Sequence, residues 1–280
     1  MRKILITGAN SYIGTSLEKW LEQYPAKYFI DTVDIRGCSW EEKDFSEYDV
    51  VFHVAGVAHI KETKENEELY YKVNRDLAYK VAGKAKVDGV KQFIFLSSMS
   101  VYGIECGVIN KRSPLNPKSS YGKSKLEAEE LINHLSDGAF KVVILRPPMI
   151  YGKACKGNYP KLARLALKAP VFPDIKNKRS MLYIENLSEF LRILIDNCSS
   201  GLFFPQNKEY ICSSEMVKLI GVAHSKRIFM TKLFNPLLNL IKTRTVNKVF
   251  GDLVYEKNMS EYKEHYCLYD FRESIFKTEV

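Results

Sequence analysis

Apolar residues are concentrated in short runs that are separated by segments with helical spacing. The runs, rich in Val, Ile, Leu and Phe, lie at residues 3–6, 28–33, 49–54, 92–97 and 141–145. Apolar residues recur at helical spacing at residues 15–24, 65–87 and 121–135. A run without apolar–polar alternation is buried on both faces, as in a parallel strand. The alternation of strands and helices therefore predicts an α/β fold, with a parallel sheet wrapped by helices.

The pattern becomes irregular after Arg146. Helical spacing returns at residues 159–168 and 184–196, and we expect the second of these helices to pack back on the first domain. This gives a first domain over residues 1–150, to which residues 180–200 return, and a smaller lobe formed mainly by residues 151–280. The order of elements after about residue 200 does not follow from the pattern.

Composition narrows the class of protein. Among 280 residues, 46% are hydrophobic, which is enough for a substantial core. The formal net charge is +9, but Lys and Arg are scattered among acidic residues, so we expect no nucleic-acid partner. A basic surface instead suits an anionic substrate.

The cysteines and the ends of the chain bear on its location. The six cysteines form no CxxC pair and no Cys/His cluster with zinc spacing, so we expect free thiols and no metal site. Residues 1–3 lead directly into a strand without an apolar signal segment, which favours the cytoplasm. The apolar stretch at residues 233–241 is too short to span a bilayer; we interpret it as a packed helix, with a membrane-surface role as the weaker alternative.

A glycine-rich turn joins the first strand to the first helix. In the sequence Thr7 to Gly14, Gly8 permits a tight turn and Gly14 permits close packing of helix on strand, as in loops that bind a pyrophosphate at a helix N-terminus. Ser11 replaces the usual middle glycine, so its side chain must point away from the phosphates or alter their approach. The context predicts a dinucleotide-binding, Rossmann-like doubly wound sheet over residues 1–150.

Charged residues at the end of the second strand bear on the choice of cofactor. Asp34 is placed to accept hydrogen bonds from the adenosine ribose hydroxyls, which favours NAD. Arg36 could instead hold a 2′-phosphate, so both NAD(H) and NADP(H) stay open.

Tyr121 and Lys125 are the strongest candidates for chemistry. They are four residues apart, so a helix places both on one face. A free phenol has a pKa near 10, and we expect a neighbouring ammonium and a positive nicotinamide ring to lower it. Ser98 follows the fourth strand, where a hydroxyl faces the ligand crevice of a doubly wound sheet.

Taken together, these motifs resemble the extended short-chain dehydrogenase/reductase family, which comprises NAD-dependent sugar epimerases, dehydratases and reductases. The resemblance covers about residues 1–200 and rests on TGxxxxIG, HVAG at residues 53–56, SSMSVYG and YGKSK. It implies a catalytic triad of Ser98, Tyr121 and Lys125, with Asn74 as a structural contact behind the site. It also implies cofactor contacts at Gly8, Ser11, Tyr12, Ile13, Gly14, Asp34, Arg36, Asp44, Phe45, Ala55, Gly56, Lys125 and Pro147.

The substrate lobe continues the resemblance. By analogy with sugar-nucleotide members, Asn158 and Arg179 would contact a diphosphate and Ser100 the substrate, whereas Arg227 and Arg244 are alternatives for a second diphosphate arginine. Residues 90–103, 140–152 and 250–255 are most similar to bacterial capsule and O-antigen enzymes that reduce a UDP-4-keto-6-deoxy-N-acetylhexosamine. We therefore expect a polysaccharide-pathway reductase acting on a UDP-sugar, with a family-type homodimer as an analogy.

Two alternatives use the same motifs. A UDP-sugar 4-epimerase with tightly bound NAD needs the same three residues, and a non-catalytic NAD(P)-binding sensor needs none of them to react. A dehydratase is disfavoured, because Met99 and Ser100 stand where an Asp-Glu acid/base pair is expected.

Overall fold

The chain forms twelve strands and ten α-helices in the computed structural model, which describes residues 1–58, 60–241 and 243–280. The strands are β1 (Arg2–Thr7), β2 (Tyr28–Val33), β3 (Val50–His53), β4 (Gln92–Leu96), β5 (Gly107–Ile109), β6 (Lys141–Leu145), β7 (Met149–Tyr151), β8 (Val171–Pro173), β9 (Met181–Tyr183), β10 (Gly201–Phe203), β11 (Phe229–Thr231) and β12 (Leu253–Tyr255). The helices are α1 (Tyr12–Leu21), α2 (Glu67–Tyr71), α3 (Ala78–Val87), α4 (Ser120–Asn133), α5 (Asn158–Lys168), α6 (Ile184–Asp196), α7 (Ser213–Ala223), α8 (Asn235–Leu240), α9 (Arg244–Phe250) and α10 (Phe271–Glu279).

The six-stranded sheet has the order β10-β6-β4-β3-β1-β2, and every neighbouring pair in it is parallel. All five strands predicted from apolar runs lie in this sheet. The chain passes from β1 to β2 on one side and then returns to β3 on the other side of β1. Ligands bind at such a reversal, outside the carboxyl ends of the strands. The fold is therefore the predicted Rossmann-like doubly wound sheet.

Both faces of the sheet are buried at its four central strands, β1, β3, β4 and β6. Alternate residues of a strand point to opposite faces, and Ile4, Leu5 and Ile6 are all inaccessible to solvent or nearly so. Leu5 belongs to a core cluster with residues of α3 and α4, including Ala82 and Ile132. On α1, Trp20 is buried and donates a hydrogen bond to Glu189 of α6 at 3.0 Å.

The chain divides into two compact units. The first consists of Met1–Gly103, Leu115–Pro147 and Leu187–Pro205, and it holds the six-stranded sheet. The second consists of Ile104–Pro114, Pro148–Asn186 and Gln206–Val280. Its strands pair in twos: β5 with β12, β7 with β9 and β8 with β11.

The core of the second unit contains hydrogen-bonded aromatic side chains. Tyr151 is fully buried, and its hydroxyl bonds Ser274 at 2.6 Å and Asn207 at 2.9 Å. Its ring stacks on that of Tyr159, with centroids 5.5 Å apart.

Nowhere in the described ranges is a helix long and apolar enough to cross a bilayer.

Candidate active site

The turn after β1 needs glycine at its first position. Gly8 has a φ of +98°, which residues with a side chain rarely adopt. A Cβ at this position would also lie 2.9 Å from the backbone nitrogen of Ala55. The turn therefore packs directly against Ala55, in the loop that follows β3, at the reversal point of the sheet.

Ser11 has a local role in this turn. It is the N-cap of α1, and its hydroxyl accepts a hydrogen bond from the Gly14 backbone N–H at 3.2 Å. The side chain thus turns into its own helix, which is the orientation that a loop lacking its middle glycine requires. The first N–H groups of a helix have no partner within it and carry partial positive charge, so the start of α1 is suited to bind a phosphate.

Asp34 and Arg36 engage each other at the end of β2. The guanidinium group of Arg36 binds the carboxylate through both Nε and Nη2, at distances of 2.5 to 3.0 Å. These bonds lower the pKa of Asp34 to about 2, so it is a carboxylate at neutral pH. A dinucleotide at this position would meet a paired Asp–Arg unit rather than two independent groups.

Asp44 and Phe45 differ in accessibility. Asp44 is exposed, and its carboxylate accepts a hydrogen bond from the Ser46 N–H at 2.8 Å. Phe45 is fully buried, and its ring lies 6.5 Å from that of Trp40 in the core cluster. Phe45 is thus a core side chain, and its N–H bonds the carboxylate of Asp88 at 3.0 Å. The roles of Asp44 and Phe45 beside an adenine stay predictions.

A buried asparagine fixes the loop after β3. Asn74 accepts a hydrogen bond from the Val57 N–H at 2.7 Å and donates one to the Val57 carbonyl at 3.0 Å. It lies in a π-helical segment, Lys72–Leu77, between α2 and α3. A Cβ on Gly56 would meet Asn74 Oδ1 at 2.9 Å and Lys125 Nζ at 3.3 Å. Glycine at position 56 therefore leaves room directly beside the Lys125 amine.

Ser98 and Tyr121 meet at the carboxyl edge of the sheet. Ser98 follows β4, and Tyr121 lies in the first turn of α4. Burial raises the pKa of Tyr121 above its ordinary value, and a hydrogen bond with the Ser98 side chain acts against this rise. The protein side chains alone therefore keep the phenol neutral at neutral pH. The lower pKa expected from the sequence included the positive nicotinamide ring of a bound cofactor as well as Lys125.

Lys125 is buried below Tyr121 on the same helix. Its amine donates a hydrogen bond to the Leu96 carbonyl at 2.8 Å and lies 4.6 Å from the centre of the Phe95 ring. Burial lowers its pKa to about 8, although the Glu129 carboxylate acts in the opposite direction. The amine is thus held by the end of β4 and changes its charge close to neutral pH.

Sequence reasoning missed a buried ion pair next to these residues. Glu129 and Arg146 are both almost fully buried, and the guanidinium binds the carboxylate at 2.5 to 3.0 Å. Ser97 also donates to Glu129, and Arg146 donates to the Tyr102 hydroxyl at 3.0 Å. A signal was available, because Glu129 follows Lys125 by four residues and so lies on the same face of α4.

A buried histidine on β3 was also missed. His53 Nδ1 shares a hydrogen bond of 2.8 Å with the Thr7 hydroxyl, and its ring stacks between Phe93 and Phe95. Burial, and then the charge of Lys125, lower its pKa to about 3, so the imidazole is neutral. Because the imidazole is neutral, it adds no second positive charge to that of Lys125.

The remaining candidates lie on both units. Ser100 is exposed and its N–H donates to the Ser98 hydroxyl at 3.1 Å, whereas Pro147 is buried and its carbonyl accepts from the Met99 N–H at 3.0 Å. Asn158 is exposed at the first position of α5.

Two of the three candidate arginines are described. Arg179 donates to the carbonyls of Gly251 at 2.8 Å and Asn247 at 3.3 Å, and burial lowers its pKa. Arg227 is exposed, and its guanidinium lies over the Phe229 ring. The side chain of Arg244 lies outside the described residues. The roles of these residues in binding a substrate stay predictions.

Comparison with known proteins identifies the family. The model of the NAD dependent epimerase/dehydratase family matches residues 4–203, which include the whole set of motifs named above. The chain belongs to this family. It is accordingly an NAD-dependent oxidoreductase or epimerase of the extended short-chain dehydrogenase/reductase type, as the motifs predicted.

Two curated relatives in the family are 4-epimerases. The chain is 31% identical over 286 residues to a UDP-glucose 4-epimerase of Vibrio cholerae, an alignment that covers 90% of this chain and 86% of the relative. It is 28% identical over 215 residues to N-acetyl-alpha-D-glucosaminyl-diphospho-ditrans,octacis-undecaprenol 4-epimerase of Escherichia coli O157:H7, covering 71% of this chain and 64% of the relative.

A solved structure supports the fold. The chain superimposes on a dTDP-4-dehydrorhamnose reductase from Clostridium acetobutylicum with a TM-score of 0.75 and 20% identity, over 99% of this chain and 98% of that one. At this identity the likeness supports the fold alone.

The residues at the sheet edge fit the dinucleotide that the family requires. Gly8 leaves the turn free of a side chain, α1 begins directly after it, and Gly56 opens space beside Lys125. We propose that this turn holds the pyrophosphate and that Lys125 lies beside the nicotinamide end of the cofactor.

Proposed function

We propose that this enzyme interconverts hydroxyl and ketone at C4 of a UDP-sugar, and that it does so as a 4-epimerase. The observation that carries the proposal is the cluster of Ser98, Tyr121 and Lys125 at the carboxyl edge of the sheet, in a chain similar over 90% of its length to a UDP-glucose 4-epimerase. A bound nicotinamide would supply the acceptance and return of a hydride at C4.

In this proposal the side chains move the proton and hold the oxygen. Tyr121 exchanges a proton with the C4 oxygen, because its hydroxyl is the acid/base group at the crevice. Ser98 bonds the same oxygen and the phenol, so it orients both. Lys125 supplies positive charge beside the site without leaving the end of β4.

One observation favours the second candidate, a reductase acting on a UDP-4-keto-6-deoxy-N-acetylhexosamine. Burial raises the pKa of Tyr121, so the phenol begins the reaction protonated. Reduction of a ketone needs a proton donor at the oxygen, which is the state that the protein side chains favour. Epimerisation needs the same group to accept a proton first and to return it later.

The carrier of the sugar is part of the proposal. We favour a uridine diphosphate, as in the name of the Vibrio cholerae relative. The Escherichia coli relative is named for a sugar on undecaprenyl diphosphate. Both carriers present a diphosphate next to the sugar, so an assay should include each of them.

Two reactions separate the candidates. The purified enzyme is first incubated with UDP-glucose, UDP-N-acetylglucosamine or the polyprenyl-linked sugar without added cofactor, and the C4 epimer is measured by anion-exchange chromatography or NMR. It is then mixed with UDP-4-keto-6-deoxy-N-acetylglucosamine and NADH or NADPH, and loss of the reduced cofactor is followed by absorbance. Epimer formed without added cofactor supports the epimerase.

Consumption of one reduced cofactor per sugar, without epimer formation in the first assay, supports the reductase instead. The Tyr121→Phe variant is the control for both reactions, since it keeps the aromatic ring. If neither reaction occurs while the protein binds NAD, the proposal of chemistry at C4 is overturned.

A further inference from the structure

The positive charge of this molecule is concentrated in one stretch of the second unit. Between Glu215 and Asp252 the sequence contains seven basic residues and no Asp or Glu. The formal charge of this stretch is therefore +7, against +9 for the whole chain. This differs from the sequence-wide interpretation above, in which basic residues are scattered among acidic ones.

Large apolar side chains are exposed in the same stretch. Leu233 is 85% exposed, Leu240 81% and Phe229 58%, and Phe234 is also exposed. Single exposed apolar residues are ordinary on protein surfaces, but a group of them next to cations indicates an interaction surface. We call Arg227, Phe229, Lys232, Leu233, Phe234 and Leu240 the basic–apolar patch.

The residues of the patch lie on β11, on α8 and in the segments adjoining β11. Phe229 of β11 pairs with Val171 of β8, which is exposed as well. The Leu233 N–H donates to the Thr231 hydroxyl at 3.2 Å, and the Asn235 side chain donates to the Asp174 carbonyl at 2.9 Å. These bonds tie the segment between β11 and α8 to the paired strands.

The cations of the patch differ from a nearby structural lysine. The guanidinium of Arg227 lies 5.1 Å from the centre of the Phe229 ring, and Lys232 is exposed beside Leu233. Lys226, by contrast, donates to the carbonyls of Ala166 and Leu167 at the end of α5. Arg227 and Lys232 therefore combine a charged group with exposed apolar neighbours.

We propose that the basic–apolar patch docks the enzyme on the surface of an anionic lipid bilayer. Leu and Phe side chains that enter the headgroup boundary, flanked by Lys and Arg that face anionic lipids, are the chemistry of interfacial binding segments. The charge of this stretch favours a bilayer over a second copy of the chain as the binding partner. Two stretches of charge +7 repel each other, whereas negative headgroups attract the stretch. The proposal concerns attachment to the surface and does not depend on the reaction proposed above.

Vesicle flotation tests the proposal. The full-length protein is mixed with vesicles of phosphatidylglycerol and phosphatidylcholine, or of phosphatidylcholine alone, over a range of NaCl concentrations. We expect flotation with the anionic vesicles only, and we expect salt to weaken it. Each cation near an anionic surface changes binding roughly fivefold, so the Arg227→Glu/Lys232→Glu variant should lose at least about tenfold in vesicle affinity.

The apolar side chains are tested in parallel. Leu233→Ser/Leu240→Ser should also lose flotation, since it removes the groups that enter the bilayer boundary. The matched controls are Lys80→Glu and Val87→Ser, which change an exposed cation and an exposed apolar residue on α3 of the first unit. Both controls should float like the parent protein, and circular dichroism with thermal melting checks that every variant is folded.

Three results would overturn the proposal. The first is failure of the parent protein to float with anionic vesicles at low salt, a result that needs no variant. The second is flotation that is insensitive to salt or to the patch substitutions. The third is a dimer, seen by analytical ultracentrifugation, that Leu233→Ser/Leu240→Ser dissociates while the parent protein binds no vesicle, which would assign the patch to subunit contact.

Discussion

The hydroxyl of Tyr121 is the single group on which the proposed chemistry depends. General acid–base catalysis by one side chain typically contributes about 10² to 10⁴ in rate. We therefore expect Tyr121→Phe to lower kcat by about 10² to 10⁴ while leaving the thermal midpoint nearly unchanged, measured by turnover assay and calorimetry. The control is Tyr70→Phe. The centroids of the Tyr70 and Tyr121 rings are 6.4 Å apart, but the Tyr70 hydroxyl donates to the Ile60 carbonyl and has no role in the proposed chemistry. Equal activity of Tyr121→Phe and the parent protein would remove Tyr121 from the mechanism.

Lys125 should make stability depend on pH. Its pKa is lowered to about 8 from 10.5, so the unfolded chain binds more protons than the folded protein between these two pH values. Stability then rises with pH across this window, by an amount on the order of 3 kcal/mol, and this gain is lost as pH falls to about 8. We expect the parent protein to gain stability relative to Lys125→Met between pH 8 and 10.5 in urea unfolding.

Lys123→Met is the matched control for this experiment, because Lys123 is exposed on the same helix. A parent-minus-variant difference that is flat across the window for Lys125→Met would show that the buried amine does not titrate there. The same slope for both variants would place its origin elsewhere in the chain.

The residues that belong to a motif could be predicted from the sequence. The contacts that depend on tertiary structure could not. The spacing of Tyr121 and Lys125 and the glycines of the first turn are local features, and a reader of the sequence can place them. The pairing of Asp34 with Arg36, the burial of Phe45 and the contact of Lys125 with the Leu96 carbonyl depend on rotamers and neighbours. These contacts decide the pKa and the accessibility of each side chain, and a local motif does not report them.

At the scale of elements, the Glu129–Arg146 ion pair, together with the hydrogen bond from Ser97 to Glu129, connects β4, α4 and β6. Glu129 lies on α4, Arg146 follows β6, and Ser97 follows β4. Each of them is next to a candidate site residue. Ser97 directly precedes Ser98, and Arg146 directly precedes Pro147. Glu129 lies one helical turn after Lys125. We propose that the pair positions the three elements that form the edge of the site.

Breaking this pair should be costly. Removing one partner of a buried ion pair leaves an uncompensated charge, so we expect Glu129→Gln to lower the free energy of unfolding by about 3 to 5 kcal/mol. Glu129→Gln/Arg146→Met should cost less than Glu129→Gln alone, because no charge then stays buried. Chemical denaturation measures both, and Lys91→Met, which breaks the exposed pair with Asp49, should cost only about 0 to 1 kcal/mol. A double variant less stable than Glu129→Gln would contradict this account.

The two units show how far an element can be predicted. The predicted strands of the six-stranded sheet have four to six residues. Four of them, β1, β3, β4 and β6, are mostly buried and give clear apolar runs, whereas β2 is only partly buried and contains Asp31. The strands β5, β7, β8, β9, β11 and β12 have three residues each, too few to show any period. Their partners are also distant in sequence, as with β5 and β12, so no local signal marks the pairing.

One helical segment was predicted as continuous and contains a local change. The spacing at residues 65–87 predicted a single helix, whereas the structure has a π-helical segment, Lys72–Leu77, between α2 and α3. Such segments widen the turn and are frequent at functional sites. Here the widened turn carries Asn74, which binds the Val57 backbone beside Gly56. Apolar spacing does not report one extra residue in a turn, so the sequence could not show this.

At the scale of the whole molecule, the excess of positive charge should act on any anionic substrate. With a formal net charge of +9, the protein attracts a nucleoside diphosphate over distances comparable with the Debye length. That length falls from about 30 Å at 0.01 M salt to about 8 Å at 0.15 M. We expect the Kd for UDP, measured by isothermal titration, to rise as NaCl is increased across this range.

Uridine is the matched ligand for this measurement, because it keeps the base and ribose but carries no phosphate. Its affinity, if measurable, should not change with salt, since no charge on the ligand is screened. A Kd for UDP that is constant across the range would mean that the net charge does not act at the substrate site. In that case, the positive stretch between Glu215 and Asp252 would act in attachment to a bilayer surface but not in substrate binding.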